Sequence, residues 1–139
     1  AEMIKTERPV QTFVDGSGIG AGVVDRLRQL NFQVVDVNSG NSSLNPRYLN
    51  KRVEMWTEMK EFIEGLCELP KDQQLKDELT CVEYSFTDKG RIRLQRKSDI
   101  EETYGFSPDR ADALAYTFAY PVSDFSEFDK DLEPISYAD

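Results

Sequence analysis

The 139-residue chain contains no histidine, one tryptophan and only two cysteines, Cys67 and Cys81. Without histidine, a Ser-His-Asp or Cys-His nucleophile system is excluded within the chain, and so is a Cys/His zinc site. With no Cys-x-x-Cys pair, the two cysteines read as reduced, mostly buried thiols of a cytosolic protein. No apolar run approaches the roughly 20 residues that span a bilayer, and the first residues lack the apolar core of a signal peptide. A soluble, intracellular protein with no membrane contact is expected. Bases are also scarce, with 17 Lys and Arg against 26 Asp and Glu, for a net charge of −9. Such a surface does not grip nucleic acid by charge alone, because Lys and Arg supply most phosphate binding. The deficit is uneven, however. Between Tyr120 and Asp139 lie six acids (Asp124, Glu127, Asp129, Asp131, Glu133, Asp139) and one base, Lys130, so this segment holds −5 of the total. Nucleic acid remains a candidate partner if metal ions offset acids at a site.

What is present fits one globular domain, with 39% hydrophobic and 31% charged residues. Residues 1 to 8 read as the last turns of a helix ended by Pro9. Val10 to Asp15 reads as a strand, Gly20 to Leu30 as a helix with Val23, Val24, Leu27 and Leu30 at helical spacing, and Phe32 to Val37 as a second strand. The turn-rich stretch Asn38 to Arg47 is expected as an exposed loop. Leu49 to Gly65 is the clearest helix, with Leu49, Val53, Trp56, Met59 and Ile63 on one face and Glu54, Glu58 and Glu61 on another. Leu69 to Leu79 reads as a connector with a short helix. Cys81 to Phe86 and Arg91 to Gln95 form a hairpin through Thr87 to Gly90. A short helix over Asp99 to Tyr104, closed by Gly105, and a last helix from Ser107 to about Tyr120 complete an α/β or mixed α+β order. Pro121 and the acidic segment, residues 122 to 139, are expected to form a flexible tail.

Chemistry concentrates in two places. In Thr12-Phe-Val-Asp-Gly-Ser-Gly-Ile-Gly-Ala-Gly-Val-Val-Asp-Arg-Leu27, a strand delivers Asp15 into a glycine-rich turn that opens a helix, where open α/β sheets place their ligands. Gly16-Ser-Gly18-Ile-Gly-Ala21 fits a dinucleotide turn, with Asp36 ending the next strand as the ribose-binding acid. Against that reading, Asp15 would face a pyrophosphate at about 5 Å and repel it by several kcal/mol at a surface dielectric near 20. A Walker A loop is excluded because no Lys-Ser or Lys-Thr follows the glycines. The competing reading gives Asp15 a metal, which requires a second carboxylate nearby. Ser107-Pro-Asp-Arg-Ala-Asp-Ala113 supplies candidates: Ser107 suits an N-cap and Pro108 a first helical residue, with Asp109 in the first turn and Asp112 one turn deeper. Asp109 has an alternative role offsetting the helix dipole. Asp112 lies among Ala111, Ala113, Leu114 and Ala115, and Ala115 and Ala119 let its face press close to a sheet. An acid on a close-packed face needs a cation or a hydrogen bond.

These segments, with Asn50-Lys-Arg-Val-Glu-Met-Trp56, Leu69-Pro and the Leu75 to Leu79 element between them, resemble in order the C-terminal nuclease domain of tailed-phage terminase large subunits, over about residues 1 to 121. The resemblance implies an RNase H-like mixed sheet flanked by helices, and an endonuclease that cuts concatemeric double-stranded DNA during genome packaging with magnesium or manganese at a cluster of acids. It assigns Asp15 to the family's second acid and Asp112 to its last, with Asp109 as a neighbouring ligand. The family's first acid lies on the central strand of an opening three-stranded meander. This chain is expected to begin after that strand, leaving the metal site incomplete and the fragment inactive by itself. The resemblance further implies a two-metal mechanism, an ATPase domain in the same parent chain, the portal protein and small terminase subunit as partners, and the host cytoplasm as location. Arg26, Arg47, Lys51 and Arg52 are candidate contacts to the DNA backbone. Two other readings stay open: a dinucleotide-binding module on Gly16 to Ala21 and Asp36, and a non-catalytic interaction fragment working through the tail.

Overall fold

A computed structural model of the chain describes residues 1–122; the tail expected over 122 to 139 lies, past Val122, outside the described residues. The order is α1 (Glu2–Glu7), β1 (Phe13–Asp15), α2 (Gly20–Gln29), β2 (Val35–Val37), α3 (Lys51–Glu64), α4 (Gln73–Cys81), β3 (Tyr84–Phe86), β4 (Ile92–Leu94), α5 (Lys97–Tyr104) and α6 (Asp109–Tyr116). The mixed α/β class holds. The single mixed sheet does not: among the described residues there are two two-stranded sheets, a parallel β1–β2 pair and an antiparallel β3–β4 hairpin. Each strand is three residues long, shorter than the apolar runs suggested. Asn31 at φ 61° turns the chain between α2 and β2, and ladder pairing begins only at Phe13 opposite Val35.

Side-chain alternation in β1 and β2 sets up two layers. Val14 and Val34 join Val24 and Leu27 of α2 on one face, with Ile4 of α1 and Phe32 at the margin. Phe13, Val35 and Val37 turn the other way, into the main core with Met55, Trp56 and Met59 of α3 and Ala111, Ala115 and Tyr116 of α6. The alternation therefore aims Asp15, like Phe13, at α6. Val23 and Leu30 remain exposed, so α2 buries a narrower stripe than its spacing suggested.

In α3 the Asn50 side chain accepts from Val53 N at 3.2 Å, an N-cap one residue inside the expected start. Val53, Trp56 and Met59 are buried as expected, but so are Met55 and Glu54. The loop from Asn38 to Arg47 is the reason: it is pinned to α3 and covers the face assigned to solvent. Lys51 N donates to Asn41 O and Arg52 N to Ser39 O, while the Glu54 carboxylate accepts from Ser43 Oγ and from Leu44 N and pairs with Lys51. Burial would push the Glu54 carboxyl up, but the hydrogen bonds from Lys51 and Ser43 outweigh it and hold it below the usual carboxylate range.

The second half departs from expectation at its element ends. Helix α4, capped by Asp72 through Leu75 N, runs on to Cys81, so Cys81 is helical rather than the start of a strand. Tyr84 and Phe86 of the hairpin are exposed. Helix α5 starts at Lys97, two residues before the expected Asp99, and is closed as expected by Gly105 at φ 76°. Helix α6 stops at Tyr116, and Pro108 rather than Ser107 occupies its cap position. Ser107 Oγ instead donates to Asp109 Oδ1 at 2.7 Å. The cap comes from another helix: the fully buried Glu78 of α4 accepts from Arg110 N at 2.7 Å and Ala111 N at 3.0 Å through Oε2.

Candidate functional site

Asp15 ends β1 where the chain leaves the sheet. Its Oδ1 accepts from Ser17 N at 2.9 Å, closing a local turn. Two glycines permit the exit by close approach. A side chain at Gly20 would collide with the Asp15 carbonyl, and one at Gly16 with the Asp36 carboxylate. Burial by itself would raise the Asp15 carboxyl; the Ser17 amide and hydroxyl, the Tyr116 hydroxyl and the charge of Lys97 together bring it below its ordinary value.

Asp112 approaches from α6 and is 5% exposed. The alanine face expected to carry it inward is there, with Ala111, Ala115 and Ala119 all buried in the main core. Its Oδ1 accepts from Trp56 Nε1 at 2.7 Å and Arg52 Nε at 3.1 Å. Arg52 is itself fixed by donation to the Gln95 carbonyl at 2.9 Å and by its approach to the Trp56 ring. Oδ2 faces Lys97 Nζ at 2.8 Å, a charge contact without a directed hydrogen bond.

Tyr116, one turn beyond Asp112, joins the two acids. Burial pushes its hydroxyl up to about 12; a hydrogen bond from Ser39 opposes this, while the Asp15 hydrogen bond and the charges of Asp15 and Asp112 reinforce it. The hydroxyl is thus protonated at neutral pH and stands beside Asp15. Lys97 acts electrostatically on Asp15 and touches Asp112, and it also reaches Asp109 at 3.9 Å. Asp109 points outward, with its side chain 77% exposed. Among the described residues no three acids or thiols converge closely enough to hold a metal ion. The donors that do meet are carboxylate and hydroxyl oxygens, the chemistry hard divalent cations take. Asp112 Oδ2, buried and answered among the described residues only by the Lys97 ammonium, faces positive charge. Asp15 and Asp112 are the two carboxylates here that could offer such oxygens.

No protein-family model matches the sequence, and no curated protein does. Solved structures do match. A mutant nuclease domain of the large terminase subunit gp2 of bacterial virus Sf6, with manganese, superposes with a TM-score of 0.69 at 18% identity, over 86% of this chain and 70% of that one. Another structure of the nuclease domain of the same subunit gives 0.68 at 18% identity, over 86% and 69%. A mutant gp2 domain with calcium gives the same figures. The chain has the fold of a phage terminase nuclease domain.

Within that terminase fold the sequence-derived residues separate. Asp15 and Asp112, 97 positions apart in the chain, share Tyr116 and Lys97 as neighbours, whereas Asp109 is exposed. Of the four basic candidates, Lys51 is buried against Glu54 and lies over the Tyr120 ring, and Arg52 is committed to Asp112. Arg26, which pairs with Gln29 on α2, and Arg47 are the two left on the surface. The dinucleotide reading loses its geometry. Asp36 lies on the opposite face of the sheet from Asp15 with its carboxylate against Gly16, and Asp15 takes the Ser17 amide that a phosphate would need. Trp56, Tyr116, Lys97 and Glu78 belong to the site or its support and were not singled out for it. Trp56 carried a signal, since a buried indole N–H needs an acceptor. Glu78 carried another, an acid beside Leu75 and Leu79 on the inner side of α4.

Proposed function

We propose that this chain is part of a metal-dependent endonuclease, the RNase H-like nuclease domain of a large terminase subunit that cuts concatemeric double-stranded DNA in a phage packaging motor. One observation carries the reading: Asp15 and Asp112, from distant elements, meet around Tyr116 and Lys97 in a fold shared with terminase nuclease domains. One of those neighbouring structures is described with manganese and another with calcium, in keeping with divalent-ion use. Magnesium or manganese, when bound, would polarise the scissile phosphate and activate water, and a pair of ions would serve both sides of the displacement. The chain's own part is positional. Ser17 holds Asp15, Trp56 and Arg52 hold Asp112, and the Tyr116 hydroxyl keeps its proton and steadies Asp15.

Asp109 joins as an outer ligand. The family's further acid would enter beside β1, whose second edge carries no partner among the described residues. The ATPase domain of the parent subunit, the portal protein and the small terminase subunit are the partners, and the host cytoplasm is the location. The test is nicking of supercoiled plasmid with manganese or magnesium by the complete subunit. Asp15→Ala and Asp112→Ala are each expected to abolish it while leaving the protein folded. Cleavage that survives both changes removes the proposal.

A further inference from the structure

The β-hairpin separates two unlike surfaces. On one side Tyr84, Phe86, Ile92 and Leu94 turn toward an apolar groove against α3 and α4. On the other, the hairpin and the start of α5 bound a cavity of about 720 Å³ in whose wall Arg52, Arg93, Arg96 and Lys97 face Glu83 and Asp99. A chain of net charge −9 thus has a place where four cations face two carboxylates.

The four cations are not equivalent. Arg52 and Lys97 are committed to Asp112, at 3.1 and 2.8 Å. Arg93 and Arg96 are exposed and form no ion pair among the described residues. Arg93 is oriented by donation from Nε to Ser85 Oγ at 2.9 Å, which leaves its terminal nitrogens for another acceptor. Arg96 stands at the head of α5, which has no side-chain cap, so the positive end of that helix adds to the same wall. One buried donor of a residue lining the cavity, Arg52 Nη2, has no hydrogen-bond partner among the described residues. Exposed guanidinium groups without an ion-pair partner among the described residues, beside an unused N–H donor, suit an anion, and phosphate in particular.

We propose that this cavity is a phosphate subsite in which Arg93 and Arg96 hold the polynucleotide phosphate next to the one presented to Asp15 and Asp112, fixing the position of the strand. A polynucleotide is favoured over a free anion because the wall is continuous with the carboxylate site: Arg52 and Lys97 line the cavity and touch Asp112 as well. The assignment rests on the nuclease reading and adds a substrate contact to it.

The test is fluorescence anisotropy of a labelled duplex oligonucleotide with the 139-residue chain in EDTA, where no cleavage occurs. Arg93→Ala/Arg96→Ala is expected to weaken binding about tenfold and to reduce the salt slope by about 1 to 2, the loss of one or two phosphate contacts. Arg93→Gln/Arg96→Gln, which keeps side-chain bulk, is expected to do the same. Lys5→Ala/Arg28→Ala removes equal charge elsewhere and is expected to change affinity less than threefold. Equal losses in the two double variants, or none in either, overturn the subsite. An unlabelled tetranucleotide is expected to compete where inorganic phosphate at the same phosphate concentration does not; the reverse order makes this a small-anion site and overturns the polynucleotide assignment. Binding that depends on Arg93 and Arg96 in a protein that never cleaves DNA strikes the nuclease reading alone. Asp15-dependent cleavage with full affinity in the double variant strikes the subsite alone.

Discussion

The indole N–H of Trp56 donates to Asp112 Oδ1 at 2.7 Å, tying α3 to α6 through the carboxylate itself. Asp112 is buried, so a lost donor is not replaced by water, and the cost includes the desolvation of the acceptor left behind. Trp56→Phe is expected to lower stability by about 1 to 3 kcal/mol, read as a lower urea midpoint with an unchanged slope. An unaltered midpoint would show that Arg52 suffices to hold Asp112.

Glu78 does for the backbone of α6 what Trp56 does for its side chain. Its Oε2 satisfies two amides at the head of the helix, in place of the local cap that Ser107 does not make. Glu78→Ala leaves both amides without an acceptor and is expected to cost about 2 to 4 kcal/mol. Glu78→Gln, which keeps a neutral acceptor, is expected to cost less than half as much in the same urea titration. Equal costs would mean that the side chain's volume matters and its hydrogen bonds do not.

How far this site could be read from sequence follows from the range of its contacts. Asp15 and Asp112 were legible because each is an acid where local rules favour something else, at a strand end before glycines and on an alanine face. Gly105 as the stop of α5 was legible for local reasons too. The contacts that hold the acids were not, because they cross the chain: Trp56 to Asp112 spans 56 residues and Glu78 to Ala111 spans 33. Likewise the burial of Glu54 depends on where a loop folds back, which the polar spacing of α3 does not encode.

Acid and alkali should destabilise the fold through different groups. The Asp15 and Glu54 carboxyls are lower in the folded state than their ordinary values of 3.8 and 4.5. Their contribution is therefore present above about pH 4.5 and is lost as pH falls through the folded values. Tyr116 runs the other way. Its folded value is about 12 against 10, so its contribution is complete below pH 10 and is lost as pH rises toward 12. The difference in urea midpoint between the wild type and Tyr116→Phe, followed from pH 9 to 12, is expected to shift by an amount equivalent to about 2 to 3 kcal/mol. A difference independent of pH would mean that the hydroxyl ionises normally.

Lys97 offers the most direct handle on the cation that Asp112 would hold. Its ammonium lies 2.8 Å from Asp112 Oδ2, on the oxygen that lacks a directed hydrogen bond. An incoming divalent ion meets like charge there, while in its absence the lysine neutralises a buried acid. Replacing it therefore has opposite effects in the two states. Lys97→Met is expected to lower the melting temperature in EDTA, because Asp112 then keeps only its two Oδ1 donors. It is also expected to strengthen manganese binding on the order of tenfold, the scale of removing one unit charge a few ångströms away at an effective dielectric near 20 and partial solvent exposure. Melting temperature followed across a manganese titration reads both effects in one experiment. A variant that is destabilised in EDTA and gains nothing from manganese would place the divalent ion away from Asp112.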